Sequence, residues 1–298
     1  MKNEDLLWMH LRDLPYFRGL LRAKEAVFYR DIPLHPPTLD LGCGDGHFAS
    51  NAFQRTLEVG LDCDFSVLQE AAGYRAYQYR IQSNGCHLPF PTAYFCSVVS
   101  NSVLEHVCDV DAMLREIARV LKQGSRFVFS VPNHLFLPKL SIGRFFDKVG
   151  LRWLGNGYRA AFNRISRHHH CDSVEVWRNR LEWAGYEIEQ YWHYFSPEAL
   201  AVLEWGHFFE FPSLVCKWLF GRWIIAPFRW NLALTRGLVE PHYNEPVPQP
   251  EGVYTFYITR LRGQIHQLVD DDEGKRTTRT KRIRLPQGEV NPLEGSRA

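Results

Sequence analysis

Three glycines at alternate positions constrain this chain more than any other feature. In "LDLGCGDGHFA", Leu39 to Ala49, Gly42, Gly44 and Gly46 follow directly on a short apolar run. Glycine takes positive φ without steric cost and lets backbone N–H groups approach a ligand with no Cβ in the way, which suits a turn between a strand and a helix. "PPTLDLG" reads as the strand, residues 46–54 as the helix and "TLEVGLD" as a second strand, so the segment is a βαβ unit. The spacing is GxGxG rather than the GxGxxG of dinucleotide sites. The second strand ends in Asp62, about 20 residues after Gly42, where a carboxylate can accept from both hydroxyls of a ribose. A nucleoside ligand without a pyrophosphate fits this pattern best; a tight turn with no ligand is the alternative for the glycines taken alone.

The alternation continues to about residue 132. It predicts a helix over 66–73, strands at "YQYRIQ" and "YFCSVVSN", a helix over 109–122 with Met113, Leu114, Ile117, Val120 and Leu121 at helical spacing, and a strand at "RFVFSVP". Ahead of it, residues 3–29 read as helix, divided at Pro15. Beyond it, "SVEVWRNRLEWAGYEIEQYWHYF" reads as a helix ending at Gly185 and then a strand, and "EGVYTFYITRLR" as a final strand that closes the sheet near residue 262. Such a chain builds a mostly parallel sheet with helices on both faces, which binds ligands at the carboxyl ends of its strands.

Composition narrows the partners. With 35 basic against 33 acidic side chains, the formal charge of +2 does not support wrapping of nucleic acid, and none is expected as a partner. Seven cysteines, an odd number without a CxxC pair, suggest neither a disulfide framework nor a zinc knuckle, and point to a reducing, cytoplasmic compartment. "MKNEDLLWMH" lacks the apolar core of a signal peptide, and no uncharged apolar run reaches membrane-spanning length.

In order and at matching intervals, "LDLGCGDG", "VGLD", "LPFPTAYF", "VVSNSVLEHV" and "LREIARVLKQGSRFVFSVPN" resemble the motifs of class I S-adenosylmethionine-dependent methyltransferases, in particular the methyltransferase type 11 group. The resemblance covers roughly residues 37–133. It implies a Rossmann-like, doubly wound, mostly parallel seven-stranded α/β sheet and S-adenosyl-L-methionine as cofactor. It also implies that Asp40 and the loop of Gly42, Gly44 and Gly46 hold the methionine portion, that Asp62 holds the ribose, and that Asn84 meets the adenine amino group beside Gly85. Asn101 joins this cofactor set. The family commonly has Asp where Asn84 stands, but an amide oxygen still accepts from the adenine N6 donor. Cys96, Gln123 and Ser125 also depart from the pattern, at a strand entry and a turn remote from the cofactor.

The sulfonium is already an activated methyl donor, so a base is needed only if the acceptor must lose a proton, and histidine is the usual choice near neutral pH. His106 in "LEHV" is one candidate, with a structural histidine at a helix start as its alternative. "RHHHCD" supplies another; on an extended segment His168 and His170 share one side and His169 takes the other. His106 and His169 are taken as the catalytic pair. No metal is expected, because the sequence names no convincing third and fourth ligand.

The expected organisation is an N-terminal helical segment at 1–32, a methyltransferase domain at 33–263 with cap insertions at about 134–172 and 196–245, and a disordered polar tail at 264–298, where "DDDE" precedes "KRTTRTKRIR". The second cap is rich in aromatics, including Trp205, Trp218, Trp223 and Trp230. Within it "PSLVCKWLFGRWIIAPFRWNLAL", residues 212–234, reads either as a buried flap over the acceptor pocket or as a segment lying in a membrane headgroup region, with Trp at the apolar boundary and Lys217, Arg222 and Arg229 toward anionic lipid. Both favour a small, hydrophobic or lipid-like acceptor, such as a lipid, quinone or polyketide, for the methyl transfer by in-line displacement that the resemblance implies, in a protein that is cytoplasmic or peripheral to a membrane. The competing functions are a cofactor-binding module without catalysis and a nicotinamide-dependent oxidoreductase. The acceptor, the atom methylated and the oligomeric state are not legible in the sequence.

Overall fold

Pro15 divides the opening apolar run into α1 (Leu6–Leu11) and α2 (Tyr16–Arg30) in the computed structural model, which describes residues 5–209 and 211–263. Asp5 caps α1, its carboxylate accepting from the Trp8 N–H at 3.0 Å. The βα alternation then runs β1 (Thr38–Leu41), α3 (His47–Ala52), β2 (Leu57–Asp62), α4 (Phe65–Ala71), β3 (Tyr77–Gln82), β4 (Phe95–Asn101), α5 (Val110–Val120) and β5 (Leu121–Pro132). The first insertion holds α6 (Ser141–Lys148) and α7 (Arg152–Ser166), and leads to α8 (Val174–Trp183) and β6 (Tyr186–Tyr194). The second holds α9 (Pro197–Phe209), α10 (Phe211–Phe220) and α11 (Ala233–Tyr243), and β7 (Tyr254–Leu261) ends the sheet. The polar tail expected at 264–298 lies outside the described residues.

The seven strands lie in the order β3-β2-β1-β4-β5-β7-β6. The first five are parallel, and β7 runs antiparallel between β5 and β6, with Val128 opposite Ile258 and Trp192 opposite Phe256. This is the Rossmann-like α/β sheet the glycine loop called for. Its direction of winding reverses between β1 and β4, so their carboxyl ends open a crevice. Helices cover both faces, which is why the central strands are apolar without alternation: Leu39, Leu41, Val98, Val99, Phe127, Val128 and Phe129 are all buried. One face packs on α5 and α8 through Leu114, Ile117, Trp177 and Leu181. The other packs on α1, α2, α3 and α9.

Helix α2 is integral to that second face. Phe17, Leu20, Ala23, Ala26 and Tyr29 are buried in it, and the Tyr29 hydroxyl donates to the Ser100 carbonyl of β4 at 2.9 Å. The insertions are tied together by Glu204 of α9. Its buried carboxylate accepts from the Ser141 and Ile142 N–H groups at the start of α6 and from the Tyr158 hydroxyl of α7 at 2.6 Å. Among the described residues no helix is long and apolar enough to cross a membrane.

Candidate active site

The glycine loop leaves β1 with φ of +74°, +54° and +76° at Gly42, Gly44 and Gly46. The first two need glycine for different reasons. A Cβ at Gly42 would lie 2.4 Å from Val103 Cγ2, whereas one at Gly44 would meet nothing within 4 Å. Gly42 is therefore a packing glycine and Gly44 faces open space. The Gly42 and Cys43 N–H groups donate to the Leu61 carbonyl at 2.7 and 3.0 Å, which binds the loop to β2. Asp62, at the end of β2, accepts from the Gly44 N–H at 2.9 Å through Oδ2 and from the Asp64 N–H at 3.0 Å through Oδ1.

A cavity of about 540 Å³ opens at this loop. Asp40, Gly42, Cys43, Gly44 and Asp45 form one wall, Phe17, Arg18, Leu21 and Arg22 of α2 a second, and Asn101 at the end of β4 with Ser102, Glu105 and His106 just past it a third. Phe136, His168, Leu203, His207 and Tyr254 close it from the insertions and the sheet end. Asp40 is buried and accepts from the Tyr77 hydroxyl at 2.6 Å. Burial pushes its pKa up to about 7, against the pull of Tyr77 and with a further push from the Asp62 charge.

Of the residues expected to meet the cofactor, Asp40, Gly42, Gly44 and Asn101 lie on this cavity. Gly46 and Asp62 stand behind the wall, in the loop and at the strand end that shape it. Asn84 and Gly85 lie outside the lining. Asn84 is exposed and its Oδ1 accepts from the Cys86 N–H at 2.9 Å, while a Cβ at Gly85 would come within 2.2 Å of Met113 Cε on α5. The Asn101 amide is committed inward: Nδ2 donates to Glu25 at 2.7 Å and Oδ1 accepts from the Ser130 hydroxyl at 2.6 Å.

On the far wall, a 3-10 turn at Leu104–His106 places Glu105 and His106 side by side. The Nδ1 of His106 is 3.1 Å from the Arg167 carbonyl, and its Nε2 is 3.9 Å from Glu105 Oε1. Burial lowers the His106 pKa; the Arg167 carbonyl opposes that and the Arg22 charge adds to it. Glu105 is buried, its Oε2 has no hydrogen-bond partner among the described residues, and desolvation pushes its pKa up to about 8.

The histidine run is where the sequence expectation needs correcting. The His169 and His170 N–H groups both donate to the Glu105 carbonyl, at 2.7 and 3.3 Å, so the run bends against the Glu105–His106 turn and its side chains diverge. His168 takes the cavity side, its ring centroid 5.2 Å from that of His106, and burial pushes its pKa down to about 3. His169 is exposed on the opposite side, with Nε2 3.5 Å from Cys108 Sγ. His170 turns away to Asp172 at 3.4 Å and Arg180 at 3.1 Å. The cavity pair is thus His106 with His168. Sequence reasoning also passed over Arg22, Glu25 and Glu105. For Glu25 a signal existed, since it continues the i, i+4 stripe of Phe17 and Leu21 into the core.

Residues 39–129 match the family model described as a methyltransferase domain. A demethylmenaquinone methyltransferase of Thermobifida fusca is 33% identical over 130 residues, 40% of this chain and 54% of that protein. A ubiquinone/menaquinone biosynthesis C-methyltransferase of Vibrio cholerae is 27% identical over 175 residues, 52% of this chain and 65% of that protein. The chain thus spans less than two thirds of the length of either relative. Among solved structures, a SAM-dependent methyltransferase of Thermotoga maritima superposes with a TM-score of 0.50 at 13% identity, over 83% of this chain and 91% of that one, a likeness of fold. Residues 39–129, built on this sheet and glycine loop, are thus a methyltransferase domain of the class I S-adenosylmethionine-dependent, type 11 group.

Proposed function

We propose that this protein transfers a methyl group from S-adenosylmethionine to a small, hydrophobic or lipid-like acceptor by in-line displacement. The observation that carries the reading is one cavity with the glycine loop on one wall and His106, His168, Phe136 and Leu203 on another, so that donor and acceptor can meet in the same space. The residues fit the cofactor: Gly44 presents bare backbone to open space, and the buried Asp40 offers a carboxylate to an ammonium. The bound cofactor supplies a methyl group already activated as a sulfonium. The chain's part is to hold, orient and exclude water. Asp40 and the loop receive the methionine portion, Asp62 the ribose, and Asn84 with Gly85 the adenine. His106, partly exposed at the cavity edge with Nδ1 turned to the Arg167 carbonyl, keeps Nε2 as the proton acceptor, and partial desolvation favours its neutral form.

Two observations support a hydrophobic acceptor. The names of the two curated relatives denote methylation of quinones. The second insertion also exposes a dense apolar surface, with Trp218, Trp230 and Leu234 at 83%, 77% and 90% exposure beside Lys217, Arg222 and Arg229. That composition suits a headgroup layer, and supports peripheral membrane contact through 212–234 by a cytoplasmic protein. The test is incubation with methyl-labelled cofactor, a demethylated quinone in liposomes, and a polar extract. Label is expected in the lipid fraction. Label confined to polar metabolites or macromolecules overturns the acceptor class, and bound cofactor with no labelled product overturns catalysis.

A further inference from the structure

We propose that Glu105, His106 and His168 form a binding site for one divalent first-row transition metal ion on the cavity wall facing the glycine loop. Each offers a ligand atom, and the three atoms lie within 4.8 Å of one another. Glu105 carries the inference. A carboxyl group at 2% exposure with one oxygen unpartnered among the described residues leaves a buried acceptor without the donor or cation such groups require. Its other oxygen stands 3.9 Å from His106 Nε2, too far for a hydrogen bond. Two ligands at about 2.1 Å from a shared tetrahedral ion lie about 3.4 Å apart, so a closure of about half an ångström across this gap would seat an ion.

The imidazoles are oriented for the same purpose. His106 Nδ1 faces the Arg167 carbonyl at 3.1 Å, which places the proton on Nδ1 and leaves the Nε2 lone pair free, the arrangement by which a carbonyl presents a metal-binding histidine. His168 is steadied by Cys171 Sγ, 3.7 Å from its Nδ1, and by an edge contact with Phe136 at 5.1 Å. The two ligand-bearing segments are joined through their backbones, by the bond from the His169 N–H to the Glu105 carbonyl. The nearby positive charge of Arg22 is met by Glu25 at 3.0 Å. Two imidazoles with one carboxylate suit Zn²⁺, Fe²⁺, Co²⁺ or Mn²⁺ rather than Mg²⁺ or Ca²⁺. With the ion bound, His106 Nε2 is a ligand and no longer a proton acceptor, and the three protein ligands leave coordination positions for water or an oxygen-bearing acceptor. That last step rests on the methyl-transfer reading; metal binding itself does not.

The experiment uses the full chain, without an affinity tag, stripped with chelator and dialysed. Zn²⁺ is titrated by calorimetry and Co²⁺ by visible absorption, with neither cofactor nor acceptor present. One ion per chain is expected, with a Co²⁺ ligand-field spectrum. Glu105→Gln, close to isosteric, and His168→Asn should each weaken binding by more than about 100-fold, beyond what loss of an outer-shell partner gives. His169→Gln and Cys108→Ser should leave the affinity within about twofold, since neither side chain is among the ligands or their supporting partners. Less than one ion per wild-type chain, wild-type affinity in Glu105→Gln or His168→Asn, or loss of binding in His169→Gln instead would each overturn the site. Any of these outcomes leaves methyl transfer untouched, and inactivity toward labelled acceptors leaves the metal titration untouched.

Discussion

Glu25 of α2 accepts a 2.7 Å hydrogen bond from the Asn101 amide at the end of β4, joining residues 76 apart in the chain. The same carboxylate, at 0% exposure, accepts from Tyr194 at 2.8 Å and Ser102 at 3.2 Å and pairs with Arg22 at 3.0 Å. Glu25→Ala strands these donors and leaves Arg22 uncompensated, so it should lower stability by about 3–5 kcal/mol. Glu25→Gln, which keeps an acceptor, should lose less. Urea denaturation of the three proteins checks this, and an alanine variant as stable as wild type would make the network incidental.

Gly42 and Gly44 share a sign of φ but should fail differently. Gly42→Ala drives a methyl group into Val103, so thermal denaturation should show a markedly less stable protein. Gly44→Val meets only open space and carries a left-handed penalty of about 1–2 kcal/mol, so it should fold. Its side chain occupies the cavity, and calorimetry should find S-adenosylmethionine binding abolished. Undiminished affinity in folded Gly44→Val would remove the loop from the cofactor site.

Asp62 serves the loop as well as the ribose proposed for it. Asp62→Ala should weaken the cofactor on the order of ten- to a few hundred-fold, from loss of charged hydrogen bonds of about 1.5–3 kcal/mol each. It also frees the Gly44 N–H, so exchange of that amide should speed up in the variant without ligand. An affinity within twofold of wild type would move the ribose contact elsewhere, with Asp64 next in line.

Asp40 makes the unliganded protein sensitive to alkali. Its folded pKa of about 7 exceeds the ordinary 3.8, so the folded state holds the extra proton between those values. The stabilisation is complete below pH 3.8 and is lost as pH rises through about 7. His10, buried and pushed well below its usual range by desolvation, has the opposite sign and loses stability as pH falls below 6.5. The carboxylate is therefore read between pH 6.5 and 8, where Asp40→Asn should exceed wild type by at most about 4 kcal/mol for a shift of some three units. The same variant should bind the cofactor more weakly. Denaturant titrations at the two pH values, with chelator present, decide it; a variant less stable than wild type at pH 8 contradicts the account.

The membrane proposal changes its key residues once the fold is known. Trp223 is half-buried, with the Arg18 guanidinium 5.1 Å and the Lys217 ammonium 6.0 Å from its ring. Trp218 and Trp230 are the exposed pair. Trp218→Glu with Trp230→Glu should abolish salt-sensitive co-sedimentation with anionic liposomes and leave cofactor affinity intact, whereas Trp223→Glu should destabilise the fold. Wild-type protein that stays in the supernatant at low salt removes the interfacial reading.

The sheet was legible because its signals are local. A bare glycine loop after a strand, an acidic residue closing the next strand, and helical periodicity between them each depend on a few adjacent residues. The far wall of the site was not. Which of three consecutive histidines faces inward depends on how the run bends onto a partner, and that partner, the Glu105 carbonyl, lies more than sixty residues upstream. Asn101 looked like a cofactor residue by position, but its amide belongs to Glu25, a pairing visible only once α2 is laid across the end of β4.

Placing α2 on the cavity wall also makes ligand affinity answerable to residues that touch no ligand. Phe17, Arg18, Leu21 and Arg22 line the cavity, while Lys24 of the same helix, buried on another side, donates to the carbonyls of Tyr243 and Glu245 at 2.9 and 2.6 Å at the end of α11. Filling the cavity and seating the helix then share one free energy, and by reciprocity each favours the other. Lys24→Met, which cuts the helix loose from that mooring, is felt at the glycine loop as a weaker grip, and a filled cavity is felt at Lys24 as slower backbone opening.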